Sequence, residues 1–237
     1  MALNLEHLRV EQTAPVGPQV YRSLRERIVK AELEPGALLS EAEVARDYAI
    51  SRQPVREAFI KLADEGLLEI RPQRGTLVRK INTVSVMDAR FVREAVEADI
   101  VRIVAREGDA DVIGSLREQV QTQQEALNRG QENFMSMDDA FHRTLALAAG
   151  KAHVWSVVNG VKAQMDRVRY LTLLDETVIQ RAIDDHMRIV DALESGDVTA
   201  TDEAMRFHLR QILLDLPGIA RLKPDYFENI DFKSNVA

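Results

Sequence analysis

Across residues 18–80 the spacing of apolar side chains changes from helical to alternating, and this change constrains the fold more than any other feature of the chain. Val20, Leu24, Ile28 and Ala31 step by four and three, the stripe of an amphipathic helix that Pro35-Gly36 is expected to stop. Ser40 with Glu43 three residues on has the form of a capping box, and Val44, Ala45 and Tyr48 carry a second short helix. Ser51 is placed to cap a third, in whose first turn Pro54 gives up no amide that had an intrahelical partner; Val55, Phe59 and Leu62 mark its buried face. After Gly66 the period becomes two. Leu68-Glu69-Ile70-Arg71 and Thr76-Leu77-Val78-Arg79 flank Pro72-Gln73-Arg74-Gly75, a hairpin with its turn residues in place.

Three helices and a hairpin in this order predict a winged helix-turn-helix. A recognition helix meets the major groove by its N-terminal end, where the positive helix pole also favours phosphate. Arg52 and Arg56 lie one turn apart at that end, on a face different from that of Val55 and Phe59, and Arg74 sits at the hairpin tip. The whole chain is acidic, with 31 basic and 38 acidic side chains. The balance is uneven: residues 1–80 hold 13 Lys and Arg against 12 Asp and Glu, and residues 81–237 hold 18 against 26. A phosphate-binding protein needs a local basic footprint, and Arg52, Arg56, Arg71, Arg74, Arg79 and Lys80 supply one.

Beyond a linker expected at 81–87 the chain reads as helices throughout. The segments are 86–107, 109–129, 132–149, 151–174, 176–195 and 198–215, separated at Gly108, Gly130, Gly150 and Gly196. The tail from Pro217, with Phe227 and Phe232, has too few periodic residues for a helix. The fold class is therefore mainly α: an N-terminal tail at 1–17, the winged domain at 18–80, an all-helical bundle at 88–216 and a C-terminal tail at 217–237. With no cysteine in 237 residues, disulfides, thiolate metal sites and cysteine nucleophiles are excluded. No apolar run approaches the roughly 18 residues of a membrane span, and Met1 to Val16 lacks a basic stretch followed by a hydrophobic block, so the expected location is cytoplasmic.

The winged segment resembles the N-terminal domain of the GntR family of bacterial transcription regulators. The resemblance rests on Leu38-Leu39-Ser40-Glu41, Ser51-Arg52-Gln53-Pro54-Val55-Arg56-Glu57-Ala58, Glu65-Gly66-Leu67 and Arg74-Gly75-Thr76. It implies operator contact by Arg52, Gln53 and Arg56, with Arg74 and Gly75 at the wing. Ala42 departs from relatives that carry a DNA-touching arginine there.

Three of the five histidines fall on apolar stripes of the helical region. Asp138, His142, Leu145 and Ala149 form one stripe, Ile179, Ile183, His186, Val190 and Leu193 a second, and Ala204, Met205, His208 and Ile212 a third. His7 and His153 have no such setting. A polar side chain aimed into a core costs roughly 1–3 kcal/mol without a hydrogen bond. Three imidazoles and a carboxylate from three helices are economically explained by convergence on a cation, with Zn, Ni, Mn or Fe as the suitable divalent metals.

This second region resembles the FCD effector domain of the FadR branch of GntR regulators. The matching residues are Asp138, Phe141, His142 and Leu145, then His186, Val190, Leu193, Gly196 and Asp197, then Met205, His208 and Leu209. The resemblance implies Asp138, His142, His186 and His208 as metal ligands, and a small organic acid, such as a sugar acid, bound over the metal with help from Arg93, Arg167 or Arg169. Glu97, one turn from Arg93, also fits the pattern, whereas Lys151 stands where relatives have asparagine. The expected function is a ligand-responsive regulator, a repressor that binds double-stranded palindromic operator DNA as a homodimer, and not an enzyme. Two other readings use the same residues. A metal sensor takes the cation itself as signal, and a metal-dependent hydrolase would activate water, although there is no H-E-x-x-H sequence and no inward second carboxylate clearly placed as a general base.

Overall fold

The computed structural model describes residues 14–130 and 133–230. His7, Phe232 and most of the N-terminal tail lie outside them. The chain forms two compact units. One holds the chain through Thr83 and takes it up again from Lys223; the other spans Val84–Leu222.

The first unit contains α1 (Val16–Val29), β1 (Leu38–Leu39), α2 (Glu41–Asp47), α3 (Arg52–Asp64), β2 (Leu68–Arg71), β3 (Gly75–Val78), β4 (Ile81–Asn82) and β5 (Phe227–Glu228). The expected stripes are its core: Val20, Leu24, Ile28, Val44, Val55, Phe59 and Leu62 are all buried. Helix α1 stops at Val29, well before Pro35-Gly36. Ala31 turns the chain at φ 55°, Leu33 returns its amide to the Arg27 carbonyl at 3.1 Å, and the Leu33 side chain is fully buried. The strands pair antiparallel in the order β1-β3-β2, with Leu38 opposite Leu77 and Arg71 opposite Gly75. Gly75 takes φ 88° directly after the turn, a conformation that costs glycine little.

Ser40 and Ser51 occupy the N-cap positions of α2 and α3 in extended backbone, yet neither side chain makes the capping hydrogen bond. At Ser51 the reason is chemical: a capping hydroxyl accepts from the second or third helical amide, and Pro54 removes the third.

The second unit is a helical bundle of α4 (Thr83–Glu107), α5 (Ala110–Asn128), α6 (Phe134–Ala148), α7 (Ala152–Val161), α8 (Ala163–Thr172), α9 (Glu176–Glu194), α10 (Val198–Arg210) and α11 (Ile212–Leu222). Helix α5 packs on α6 and α9, and α9 on α10. Asp109, Asp175 and Asp197 cap α5, α9 and α10 by accepting backbone amides. Breaks fall at the four glycines named from sequence, and Gly150 at φ 68° shows why: the chain leaves α6 through a left-handed residue.

Three segments differ from the sequence expectation. The proposed linker is ordered as β4 and the first turn of α4, because Ile81 and Val86 are buried and Thr83 donates its hydroxyl to the Asn229 carbonyl. The helix expected over 151–174 is broken at Lys162, whose ammonium is buried between Asp139 at 3.0 Å and Asp166 at 2.9 Å. The expected tail begins inside α11: Ile212, Leu216 and Ala220 are buried one turn apart, and their packing offsets the roughly 3 kcal/mol that Pro217 costs within a helix. The following residues, Pro224–Tyr226, make a 3-10 turn that leads into β5. Strand β5 pairs parallel with β4, Ile81 opposite Phe227, and Phe227 is buried.

Candidate functional site

Helix α3 presents Arg52, Gln53 and Arg56 to solvent while Val55, Ala58 and Phe59 are buried behind them. Arg52 has no ion-pair partner among the described residues. Arg56 is 58% exposed and pairs with Glu41 of α2, its Nη2 3.0 Å from Oε2. Gln53 donates to Glu57 Oε1 at 2.9 Å. Arg74 is exposed at the tip of the three-residue turn, its amide bonded to the Arg71 carbonyl at 3.0 Å, and Gly75 opens β3 beside it. The rest of the basic footprint is partly engaged: Arg71 pairs with Glu69 and Arg79 with Glu228, whereas Lys80 is exposed. The three side chains at the start of α3 and the wing-tip arginine are thus all exposed to solvent.

In the bundle, Asp138 and His142 face inward from α6, one turn apart, and meet His186 of α9 and His208 of α10. One potential ligand atom from each lies within 4.8 Å of all the others. A metal bound at about 2.1 Å places opposite ligands about 4.2 Å apart, so the cluster would close by a few tenths of an ångström around an ion. His142 Nε2 and His208 Nε2 are 3.2 Å apart, and His186 Nε2 is 3.5 Å from Asp138 Oδ1.

Two of the three imidazoles have a close partner on the far nitrogen, and the third faces a carboxylate beyond hydrogen-bond distance. His186 Nδ1 donates to Gln123 Oε1 at 2.8 Å, His142 Nδ1 stands 2.6 Å from Glu97 Oε2, and His208 Nδ1 faces Asp185 Oδ2 at 3.8 Å. With the His186 proton on Nδ1, its Nε2 lone pair faces Asp138, beside the His142 and His208 Nε2 pair. His186 Nε2 and both Asp138 oxygens receive no aligned hydrogen bond, which leaves them available as ligands.

Electrostatics keep these groups in ligand form. Burial depresses all three imidazoles, His186 to about 4, so they are neutral near pH 7. Burial alone would raise Asp138, but Arg169, with Nη2 2.5 Å from Oδ2, and the neighbouring imidazoles hold it well below the ordinary carboxylate range.

A small cavity of about 60 Å³ opens beside the cluster, with Asp138 and His208 in its wall and Arg93, Arg169, Arg181 and Asp215 around it. Arg93 is buried and committed to Glu97, with Nε 2.5 Å from Oε1. Arg181 Nη2 reaches both oxygens of Asp215 at 2.6 and 2.7 Å. Arg167 is not part of this lining; it is buried and donates to Gln164 Oε1 at 3.2 Å. Residues two apart on a helix point to different sides, so α8 can offer the cavity Arg169 or Arg167 and not both.

Residues 17–78 match the gntR family of bacterial regulatory proteins, and residues 88–211, more than half of the chain, match the FCD domain. The chain belongs to the GntR family. It is 37% identical over 220 residues to the HTH-type transcriptional repressor RspR of Escherichia coli strain K12, covering 92% of this chain and 96% of that one. It is 30% identical over 199 residues to the probable D-xylose utilization operon transcriptional repressor of Paenarthrobacter nicotinovorans, covering 84% and 87%. The structure of E. coli McbR/YncC has the same fold, with a TM-score of 0.72 at 18% identity over 90% of this chain and 99% of that one. The two relatives identified by sequence are named as transcriptional repressors, and this GntR chain is a DNA-binding transcription regulator, not the hydrolase of the alternative reading. Among the described residues no helix is long and apolar enough to cross a membrane.

Several residues of this GntR regulator's bundle escaped the sequence reading. Gln123 left a usable signal, a polar residue on the buried stripe Leu116, Val120 and Ala126 of α5. Asp185 follows no apolar stripe and left none; it accepts a hydrogen bond from Arg188 at 2.8 Å and faces His208 at 3.8 Å. Arg181 and Asp215 lie on different helices and acquire meaning only when α9 and α11 meet at the cavity.

Proposed function

We propose that this regulator is a repressor that binds a palindromic operator as a homodimer, and that a small organic acid, seated over a divalent metal in the bundle, modulates its hold on DNA. The observation that carries the reading is the convergence of four ligand atoms in a cluster whose Asp138 and His208 line a cavity that also holds Arg169. Asp138, His142, His186 and His208 would hold the metal, with Zn, Ni, Mn and Fe all compatible with the donor set. A bound metal with free coordination positions accepts carboxylate and neighbouring hydroxyl oxygens.

Charge balance supports an acid. The carboxylates of Asp138, Asp139 and Asp166 outnumber the cations Lys162 and Arg169 with which they interact by one. A divalent cation turns that deficit into an excess of one positive charge, which a single carboxylate neutralises. Arg93 is already matched by Glu97, and Arg181 by Asp215. Arg93 is therefore a positioning residue, holding the carboxylate that faces His142, while Arg169 is the guanidinium for the acid. A cation that was itself the signal would need the cluster but not the cavity. The relative named for D-xylose utilization supports an acid derived from sugar.

A homodimer follows from DNA geometry, because one recognition helix touches too few base pairs for selective binding. The acid must prefer one arrangement of the two DNA-binding domains to act at a distance. The test is elemental analysis of the purified protein followed by titration with organic acids, reading melting temperature and operator affinity together. About one transition metal per chain, a melting point raised by an acid and a changed operator affinity are expected. Metal-free protein that responds to no acid would return the histidines to a purely structural role.

A further inference from the structure

The three arginines at the cavity differ in how firmly they are held. Arg93 is buried, and both Nε and Nη2 contact Glu97. Arg169 is nearly buried, lies on Asp138 and is also 3.9 Å from Asp139 and Asp166. Arg181 is 38% exposed, and a single nitrogen, Nη2, makes its hydrogen bonds, both to Asp215. It makes no other hydrogen bond among the described residues, so this guanidinium has donors to offer a ligand.

Its partner sits on a helix with a particular continuation. Asp215 belongs to α11, which is separated from α10 at Gln211 and lacks one amide at Pro217. After Leu222 the chain enters the DNA-binding unit. There Tyr226 donates its hydroxyl to Glu34 Oε1 at 2.8 Å, Phe227 is buried, and Asn82 Nδ2 donates to Glu228 Oε1 at 3.0 Å. This strap pairs with β4, which follows wing strand β3 after only Arg79 and Lys80. The helix that supplies the cavity with Asp215 is thus covalently continuous with a strand fastened beside the wing.

We infer that Arg181 is an effector-contact residue and that its ion pair with Asp215 is a latch the effector opens. The inference rests on the proposed acid-binding role of the cavity. An acid whose carboxylate occupies the metal and Arg169 presents its distal oxygens to Arg181, which exchanges Asp215 for them. Helix α11 is then released from α9, and the change reaches the winged domain through the strap. The effector class narrows accordingly to acids with hydroxyl or other oxygen groups beyond the carboxylate, since a bare carboxylate does not reach the latch.

The test uses full-length zinc-loaded protein with two probes, acetate and D-gluconate, measured by calorimetry, and hydrogen exchange at Tyr226, Phe227 and Glu228. Wild type is expected to prefer gluconate and to exchange faster at the strap when gluconate binds. Arg181→Gln should lower gluconate affinity about tenfold, and acetate affinity less, as loss of a charged hydrogen bond does. Asp215→Asn should raise gluconate affinity about threefold, because the competing charge is gone, and should speed strap exchange with no acid present. Zinc content and melting temperature of each variant establish that it is folded. If wild type binds gluconate but both variants bind it equally well and the strap stays indifferent, the latch is wrong and the acid site stands. The latch is also overturned by a wild type that prefers acetate. If zinc-loaded wild type binds neither acid, the acid-binding reading falls and takes the latch with it.

Discussion

His186 gives its Nδ1 proton to Gln123 Oε1 at 2.8 Å, and this one hydrogen bond decides which face of the imidazole looks toward Asp138. The amide fixes both tautomer and ring orientation, as outer partners of metal-binding histidines do. Gln123→Leu should therefore lower zinc affinity by roughly 10–100-fold while all four ligands remain. Competition with a chelating dye measures it. Wild-type affinity in this variant would show that packing alone orients His186, which also stacks on Phe141 with ring centroids 4.3 Å apart.

Arg169 and a metal ion would serve Asp138 as alternative counter-charges, and this gives a prediction about stability. In metal-free protein the buried carboxylate depends on the Arg169 guanidinium 2.5 Å away. Removing one partner of a buried pair costs about 3–5 kcal/mol. Arg169→Ala should destabilise the metal-free protein by that order and the zinc-loaded protein by distinctly less. Denaturant melts with and without zinc check the difference; equal losses would mean that the metal does not touch Asp138.

The legibility of the chain followed the periodicity of its side chains. Val55, Phe59 and Leu62 were visible as the inner face of α3 because each repeats at a helical interval and no charge interrupts them. Asp138 and His142 were visible for the opposite reason, as polar residues where an apolar stripe demanded a hydrophobe. Lys162 was not, because a lone lysine after an apolar helix reads as solvated; only the carboxylates of Asp139 and Asp166 explain its burial. Pro217 was read as the end of helical structure, a local rule that the packing of Ile212, Leu216 and Ala220 overrides. The strap was hidden because its partners Glu34 and Asn82 lie far away in sequence, and no local pattern records a pairing of that range.

Glu94 provides a pH test away from the metal cluster. Arg90 of its own helix and Arg206 and Arg210 of α10 all contact its carboxylate. Hydrogen bonds from Arg210 and then Arg90 outweigh the opposing effect of burial and lower its pKa to about 2. A depressed carboxylate stabilises the fold fully above its unfolded pKa and loses that contribution as pH falls through its folded pKa. Discounted for solvent screening, the contribution is about 1–2 kcal/mol. Glu94→Gln should then lower the melting temperature at pH 7, with the gap from wild type closing between about pH 4.5 and pH 2. A gap that persists unchanged below that window would assign the loss to packing.

The last prediction concerns DNA and separates two arginines that the sequence treats alike. Arg52 is free of ion pairs among the described residues, whereas Arg56 must leave Glu41, 3.0 Å away, to reach a base or phosphate. An exposed pair of this kind is worth about 0.2–1 kcal/mol, so Arg56 brings that much less net energy to a complex. Arg52→Ala should weaken operator binding by about 1–3 kcal/mol, and Arg56→Ala by somewhat less. Glu41→Gln should act in the other direction, tightening binding and steepening its fall with salt by up to about one in slope, since Arg56 then releases a counterion without first giving up a partner. Fluorescence anisotropy on an operator obtained by in vitro selection, repeated across a salt series, measures all three. If neither arginine variant loses affinity, α3 does not enter the groove by its N-terminal end.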